Sequence, residues 1–395
     1  MPKSDLAYIL LFLIIFALCP FLFQNGYAHL TLIQMGIAVI FAISYNQLLG
    51  KAGLLSLGHA VYFGFGGFFS VHLINSISSS VLYIPAILIP FLGGLAGMIM
   101  AVLLGSFTTR KGGIMFAMLS FAIAELVLAS STVFGRYYGG SIDRTLIPPF
   151  PFTSLQSDLV IFFIILFWVG IALIAARLFN DSPLGQMIYA AGQNPERASF
   201  LGYSDHRLKF QAFIFSGFLA GIAGSLFALA YEFVTPEIIS LRQSWIILQM
   251  VFIGGIGYFW GPPLGAILLT LLFSNLSAYT ELWGLYIGIV FLCVVLFSPE
   301  GIAGISHQLF KTLSKNNKSH SKRLAMIKTL AIATAAIGLV GLCELTYSLR
   351  FGESKNPLLF LNSELMNGVI FGSFLIGGII VFMKSRQKVT PSDLH

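Results

Sequence analysis

Two ionisable side chains inside apolar stretches are the residues of this sequence best placed to do chemistry. Glu125 lies in the run SFAIAEL, and His59 follows Ser56 and Gly58 in SLGH. A charged side chain at the centre of a membrane helix costs about 2.5–3.5 kcal/mol, so such residues usually face protein or a water-filled path. We expect Glu125 to face an interior cavity or to cross-link helices by hydrogen bonds. For His59, a backbone or helix-end hydrogen bond and a place on a pathway both remain open.

A compact polar segment, GQNPERASFLGYSDHRLKF at 192–210, separates two long apolar runs. Asn194 is a good N-cap, Pro195 suits the first helical position, and Glu196 suits the positive N-terminal end of a helix. Gly202 can adopt the left-handed conformation that ends a helix. The pattern predicts a helix of about two turns, which is too short to be stable alone in water and must pack on something.

The side chains of this short helix suggest a docking surface. Ala198 and Leu201 are three residues apart and should share a face, whereas Phe200 projects to another side. Glu196 and Arg197 would form a charged rim. A second helix, SPLGQMIYAAG from residue 182, leads into the segment and could lie along the membrane surface. Spacing alone leaves open whether the short helix docks a partner or is a connector resting on the protein's own loops.

Other chemistry has little support in the sequence. No cluster has metal-ligand spacing, no Ser/His/Asp or Cys/His set is placed for catalysis, and no GxxxxGK[ST] phosphate loop occurs. Cys19, Cys293 and Cys343 lie in or at the ends of apolar runs, which predicts packing rather than disulfides. We therefore predict no enzymatic activity, metal or cofactor, and any nucleotide energy must come from a partner.

The composition indicates the elements that position these residues. Of 395 residues, 57% are hydrophobic and 9% charged, and the mean hydropathy is +0.89. Repeated apolar runs long enough to cross about 30 Å of hydrocarbon indicate membrane helices rather than a barrel. We predict an all-α fold, a polytopic transmembrane helical bundle with about ten core spans and two additional C-terminal spans.

Twelve candidate spans follow from apolar length and from glycine, proline and charge breaks. The glycine-rich stretch 53–74 could be a full span or a broken, re-entrant helix. The predicted spans are 6–23, 30–49, 53–74, 83–107, 113–133, 158–179, 208–231, 243–259, 263–279, 282–297, 324–343 and 364–383.

The basic residues predict the orientation. With both termini cytoplasmic, 17 of the 22 Lys and Arg residues fall inside, and Arg136, Arg144, Arg242, Arg350 and Lys355 fall outside. The net charge of +7 then reflects basic residues on the cytoplasmic side, where they face the surface of the membrane. Binding of nucleic acid is not indicated.

Several motifs together resemble one family, the LivM-like inner-membrane permease subunits of ATP-binding-cassette (ABC) importers of the branched-chain amino-acid type. Its coupling-loop pattern is matched by Asn194, Glu196, Arg197, Ala198, Leu201 and Gly202, followed by residues 207–210. Further similar stretches are NQLLGKAGLLSLGHAVYFGFGGF, RKGGIMFAMLSFAIAEL, GFLAGIAGSLFAL, GGIGYFWGPPLGA and FSPEGIAG. They cover about residues 30–305 in the family's order.

The resemblance implies a function, partners and site residues. The chain would form half of a translocation pathway for branched-chain or other small amino acids in the bacterial inner membrane. Its partners would be peripheral ATP-binding subunits, a second related permease subunit and an extracytoplasmic solute-binding protein. Residues 194–198, 201 and 202 would couple to the ATPases. Candidates for the pathway or for gating are Ser56, Gly58, His59, Glu125 and the outer-loop residues Gly139, Gly140 and Ser141.

The resemblance also divides the chain. Residues 1–305 would be the permease domain, with a coupling loop at 180–209. Residues 306–323 would be a basic cytoplasmic linker, and residues 324–395 would be an additional two-span region that the usual family pattern lacks. Arg144 stands where a glycine-rich continuation of the outer loop is more usual, which leaves the solute open.

Three alternatives remain. A permease for urea or short amides would carry similar motifs. An ion-coupled secondary transporter would need more ionisable residues at mid-membrane and no docking helix. A membrane scaffold subunit without transport of its own is kept open by the additional region 306–395.

Overall fold

The structure is a computed structural model, and it describes residues 3–22, 26–78, 84–143, 158–279, 282–297 and 301–304. The predicted linker 306–323 and the predicted spans 324–343 and 364–383 lie outside the described residues, as does Arg144. Those predictions stay as they are.

Helices make up most of the described chain. The α-helices are α1 (Lys3–Leu22), α2 (Gly26–Asn46), α3 (Ala60–Ser78), α4 (Ile89–Thr108), α5 (Gly113–Val133), α6 (Asp158–Asp181), α7 (Pro183–Gln193), α8 (Pro195–Phe200), α9 (Asp205–Tyr231), α10 (Leu241–Gly254), α11 (Gly261–Tyr279) and α12 (Trp283–Phe297). A π-helical turn, Gln47–Lys51, continues α2, and short 3-10 turns cover Ala86–Leu88, Gly135–Tyr137 and Pro236–Ile239. Two short strands, β1 (Gly140–Ser141) and β2 (Phe233–Val234), pair antiparallel.

The predicted all-α membrane fold is confirmed, and each of the ten spans predicted before residue 305 contains a helix. By length and composition, six helical stretches among the described residues could cross a membrane, and two shorter helices are also apolar. The six are Asp5–Leu22, Gly26–Lys51, Ala86–Thr108, Gly113–Val133, Asp158–Asp181 and Asp205–Tyr231. The full number of spans stays a prediction.

Two predicted spans have different bounds in the structure. Residues 53–59 are not helical and α3 begins only at Ala60, so the stretch 53–74 is a broken element. The predicted span 243–259 was wrong at its end, because α10 stops at Gly254. Gly255 and Gly257 have φ angles of +118° and +81°, a left-handed backbone that cannot continue a right-handed helix.

The described residues fall into two compact units. The first comprises Met1–Leu271 and Cys293–Gly304, and it holds all the candidate site residues. The second includes Leu272–Leu292, where the rings of Phe273 and Trp283 meet edge to face at a centroid distance of 5.5 Å.

Glycines allow α3, α4 and α9 to pack with their backbones in contact. A methyl group at Gly97 would lie 2.6 Å from the carbonyl oxygen of Gly217, and one at Gly221 would meet the carbonyl oxygen of Gly93 at 2.5 Å. On the α3 side, a methyl group at Gly224 would overlap the carbonyl oxygen of Phe63. Small residues at helix contacts are a common basis of association between membrane helices.

We expect Gly224→Ala to destabilise the protein, because backbone atoms of α3 occupy the space of the added methyl group. Overpacking of this kind typically costs about 1–3 kcal/mol. The matched control is Gly288→Ala in α12, where nothing lies within 4 Å of the new methyl group. Thermal unfolding in detergent should show a lower midpoint for Gly224→Ala only. Equal midpoints would show that α3 and α9 do not need this close approach.

The two ends of the first unit differ in their connections. At one end, here called the basic end, residues 3–5, 46–53, 108–113, 177–209 and 254–261 meet, as the contacts Asp5–Arg177, Thr109–His206 and Asn46–Gly257 show. At the other, here called the strand end, residues 133–143 and 231–242 meet through β1 and β2. The short polar helix α8 therefore lies at the basic end.

Candidate functional site

The N-terminus of α8 is capped as the sequence predicts. The backbone N–H of Arg197 donates to Asn194 Oδ1 at 3.0 Å, and Pro195 occupies the first helical position. This bond satisfies one of the free N–H groups at the start of the helix. The chain therefore enters α8 in one defined geometry.

The C-terminus of α8 is equally well defined. Gly202 has a φ of +84°, and its N–H donates to the carbonyl of Ser199 at 3.0 Å. The next residue, Tyr203, donates from its N–H to the carbonyl of Ala198 at 3.2 Å. This pair of bonds is a Schellman motif, which needs a left-handed residue at Gly202. The predicted stop at Gly202 is confirmed.

The faces of α8 differ from the prediction. Ala198 is only 3% exposed and packs inward, whereas Leu201 is 69% exposed and Phe200 is 89% exposed. Ala198 and Leu201 therefore do not share an outward face, because Leu201 lies beyond the last helical residue and follows the turn. Glu196 and Arg197 are exposed, as the predicted rim requires. The open apolar surface consists of Phe200 and Leu201.

The preceding helix, α7, holds α8 against the bundle. The hydroxyl of Ser182 caps α7 by accepting from the N–H of Gly185 at 3.1 Å. Ile188 and Ala191 are buried, while Tyr189 remains half exposed. The predicted second helix is thus confirmed, and it packs one face on the protein.

The irregular segment 53–59 runs through the interior, where backbone groups need partners in place of water. A methyl group at Gly58 would overlap the carbonyl oxygen of Ser120, so α5 passes very close to it. Side chains from other helices supply these partners. Tyr45 Oη donates a hydrogen bond to the carbonyl of Ser56 at 2.9 Å. The N–H of Leu57 donates to Ser120 Oγ at 3.0 Å, and the N–H of Ala60 donates to Ser244 Oγ at 3.0 Å.

His59 is fully buried among aromatic rings. Its ring stacks on Phe41 at a centroid distance of 5.5 Å and meets Tyr45 edge to face at 5.2 Å. Its Nε2 lies 2.7 Å from Ser44 Oγ, so the expected backbone or helix-end bond is replaced by a bond between side chains. Nδ1 of His59 and the hydroxyl of Ser56 have no partner among the described residues. Because His59 is buried and bonded to Ser44, it fixes the end of segment 53–59 against α2.

Glu125 lies near the middle of α5 and its side chain is exposed in the single chain. The buried face of α5 consists of Phe116, Ala117, Ser120, Ala124 and Val127, so Glu125 is on the opposite side. Within the described ranges it does not cross-link helices, so that alternative was wrong for this chain alone, and the interior cavity stays a prediction. A carboxylate therefore sits on an otherwise apolar open face.

The residues Gly139, Gly140 and Ser141 form a junction at the strand end. Gly140 pairs with Val234 in the two-stranded sheet, and the amide of Asn75 donates to the carbonyl of Ser141 at 3.1 Å. A methyl group at Gly139 would overlap the carbonyl oxygen of Val234. These residues join the loop after α5 to the loop after α9.

Comparison with known proteins decides the family. Residues 27–295, more than half of the chain, match the model of the branched-chain amino acid transport system permease component. The chain belongs to this permease family. Residues 1–26 and 296–395 lie outside the match.

Individual relatives of the permease agree with this assignment. The high-affinity branched-chain amino acid transport system permease protein LivM of Salmonella typhimurium is 26% identical over 79% of this chain and 78% of its own length. LivM of Escherichia coli is 25% identical over 74% of this chain and 73% of its own length. The ribose import permease protein RbsC of Haemophilus influenzae is 24% identical over 70% of this chain and 84% of its own length. No solved structure matches the permease.

Several residues that organise the permease were missed in the sequence. Ser44, Ser120 and Ser244 support the segment 53–59, and Asn46 and Lys51 bind the loop between α10 and α11. Ser44 and Ser120 each follow a long apolar run, a signal that could have marked them, whereas Ser244 follows Arg242 and Gln243 at the start of α10. The partners of Asn46 and Lys51 are more than 200 residues away in the chain, so spacing could not reveal them.

Proposed function

We propose that the chain forms half of the translocation pathway of an ABC importer in the bacterial inner membrane. Two peripheral ATP-binding subunits hydrolyse ATP, a second related permease supplies the other half, and an extracytoplasmic solute-binding protein delivers the solute. Such an assembly moves solute by alternating access, driven by differences in binding energy between two states.

The observation that carries this proposal is the exposed apolar end of α8. Phe200 is 89% exposed beside Leu201 and the rim residues Glu196 and Arg197, on a helix with both ends tied by hydrogen bonds. Rigid aromatic side chains on a preformed surface are favourable anchors for a partner's groove, because little conformational entropy is lost on docking. We assign the ATP-binding subunits to this surface.

The distribution of charge supports a cytoplasmic basic end. Positive residues of membrane proteins concentrate in cytoplasmic connections. At the strand end, the described basic residues are Arg136 and Arg242. At the basic end they are Lys3, Lys51, Arg110, Lys111, Arg177, Arg197, Arg207 and Lys209.

The strand end then faces the solute-binding protein. Phe134, Tyr137 and Phe233 are large exposed aromatic side chains around the β1–β2 junction. Aromatic residues are enriched at the centres of protein interfaces. The rigid junction of Gly139, Gly140 and Ser141 would hold this outer surface in register with α5 and α9.

The open face of α5 is proposed as a wall of the pathway, completed by the second permease subunit. A carboxylate at mid-helix is costly in lipid, so the face with Glu125 should meet water or protein. For an amino-acid solute, Glu125 would attract the α-ammonium group, and its apolar neighbours on α5 would tolerate an apolar side chain.

Branched-chain or other small apolar amino acids are the proposed solutes, because two relatives named for branched-chain amino acids align over 74% and 79% of this chain. The relative named for ribose aligns over 70%. The test is uptake by proteoliposomes containing the whole complex. ATP-dependent uptake of leucine, isoleucine or valine, but not of ribose or urea, is expected. Uptake of ribose or urea alone would contradict the proposed solute, and ATP-independent uptake would contradict the importer.

A further inference from the structure

Lys51 joins two segments that are distant in the chain. Its Nζ donates to the carbonyl of Gly257 at 3.3 Å and lies 5.1 Å from the ring centroid of Tyr189. Gly257 belongs to the loop 255–260 between α10 and α11, and Tyr189 belongs to α7. One cation therefore contacts both the helix that leads into α8 and a loop between two other helices.

The backbone around Lys51 is tightly packed against both segments. A methyl group at Gly192, at the end of α7, would overlap the carbonyl oxygen of Lys51. At Gly50, a methyl group would lie 2.8 Å from the backbone nitrogen of Gly257. With so little free space, a displacement of α7 must move the turn 47–51 as well.

Asn46 fixes the loop 255–260 to the same turn. The N–H of Gly257 donates to Asn46 Oδ1 at 3.1 Å, and Asn46 Nδ2 donates to the carbonyl of Tyr258 at 3.3 Å. Asn46 is buried, so these bonds are costly to break without replacement. The loop is thus held at two points, by the amide of Asn46 and by the ammonium of Lys51.

The end of α6 touches the loop 255–260 as well. The guanidinium of Arg177 lies 5.5 Å from the ring centroid of Phe259, and Arg177 pairs with Asp5 and Asp181. Since α6 runs almost directly into α7, the loop contacts the helix that leads into α7, and Lys51 links it to α7 itself. The described contacts therefore make one connected block of α7, the turn 47–51 and the loop 255–260.

We propose that Lys51 is a positioning residue that transmits movement of α7 and α8 to the loop 255–260 and to the irregular segment 53–59. The inference rests on the proposed function, because the ATP-binding subunits impose the movement on α8. Lys51 provides the side-chain link between α7 and the loop, and the chain itself continues from Lys51 into segment 53–59. The coupling free energy between the two regions can be no larger than the difference in the energy of these contacts between the two states.

The test substitutes Lys51 in the complete transporter. Lys51→Met keeps a long unbranched side chain but removes the hydrogen bond to Gly257 and the cation above Tyr189. Lys51→Arg keeps the charge and donor groups. The matched control is Lys111→Met, the same change at an exposed position of the basic end. Co-purified ATP-binding subunit, leucine uptake and ATP hydrolysis are measured for each complex.

Lys51→Met is expected to lower uptake per ATP hydrolysed about tenfold, as the loss of a hydrogen bond to a charged group would. Co-purification of the ATP-binding subunits should stay unchanged, and Lys51→Arg should restore most of the uptake. Tyr189→Leu should lower uptake less, and the double variant should show no further loss beyond Lys51→Met, because both act on one contact.

Three results would overturn the role of Lys51. They are normal uptake per ATP in Lys51→Met, loss of the ATP-binding subunits from Lys51→Met, and additive effects in the double variant. If Lys51→Met does not fold, the half-exposed Tyr189→Leu decides, and normal uptake in it overturns the role. Failure of the proposed function would give a different result. The ATP-binding subunits would then stay bound in variants of α8 itself.

Discussion

Phe200→Ser is expected to release the ATP-binding subunits from the complex and thereby abolish uptake. Phe200 is 89% exposed in the part of the chain that the structure describes, so its loss should affect only the docked state. Truncation of a buried aromatic anchor at an interface costs about 2 kcal/mol or more, which is roughly a 30-fold weaker association. Co-purification and ATP-driven leucine uptake are the measurements.

Arg197→Glu should weaken the same association in a salt-dependent way, because Arg197 belongs to the exposed rim of α8. The control is Lys111→Glu, the same charge reversal at another exposed position of the basic end.

Gly202→Val should also weaken association, since a β-branched residue disfavours the φ of +84° that ends α8. Normal uptake in all three α8 variants would mean that α8 is only a connector.

Glu125→Gln is expected to lower leucine uptake about 10- to 100-fold at low solute concentration, as the loss of a charge-assisted hydrogen bond to an ammonium group would. Glu125→Asp keeps the charge and should retain more uptake. The neighbouring Leu126→Gln is the matched control, because Leu126 is also exposed on α5. ATP-binding subunits should remain bound in all three.

A thiol at position 125 separates the pathway from a purely structural role. In a background with Cys19, Cys293 and Cys343 replaced, Glu125→Cys should react with a water-soluble thiol reagent in the assembled complex. Leucine delivered by the binding protein should slow the reaction. An unreactive thiol, together with normal uptake in Glu125→Gln, would place this face of α5 against the second subunit or lipid.

Local features of the candidate site were predictable from the sequence, because they depend on neighbouring residues. Both ends of α8 follow from Asn194, Pro195 and Gly202, whose preferences act within one helical turn. The inward position of Ala198 was not predictable, since it depends on packing of α8 against the rest of the chain. Residue spacing shows which side chains share a face of a helix, but it does not show which face packs against the rest of the chain.

The end of α10 and the position of Glu125 were not predicted from the sequence. Each of the ten spans predicted before residue 305 contains a helix, but the end of α10 at Gly254, where the backbone becomes left-handed at Gly255, was not predicted. Glu125 was expected to face an interior cavity or to cross-link helices, and the structure places it on the open side of α5 without a cross-link among the described residues. An apolar helix is hydrophobic on all sides, so its pattern does not reveal which side is buried.

A photo-crosslinking amino acid at position 200 tests the docking of α8 most directly. In the assembled complex, irradiation should join this chain to an ATP-binding subunit, and the same group at position 137, at the strand end, should not do so. The yield from position 200 should change between nucleotide-free and ATP-bound states. Cross-links from position 200 only to lipid or to this chain would contradict the proposal that α8 couples ATP hydrolysis to transport.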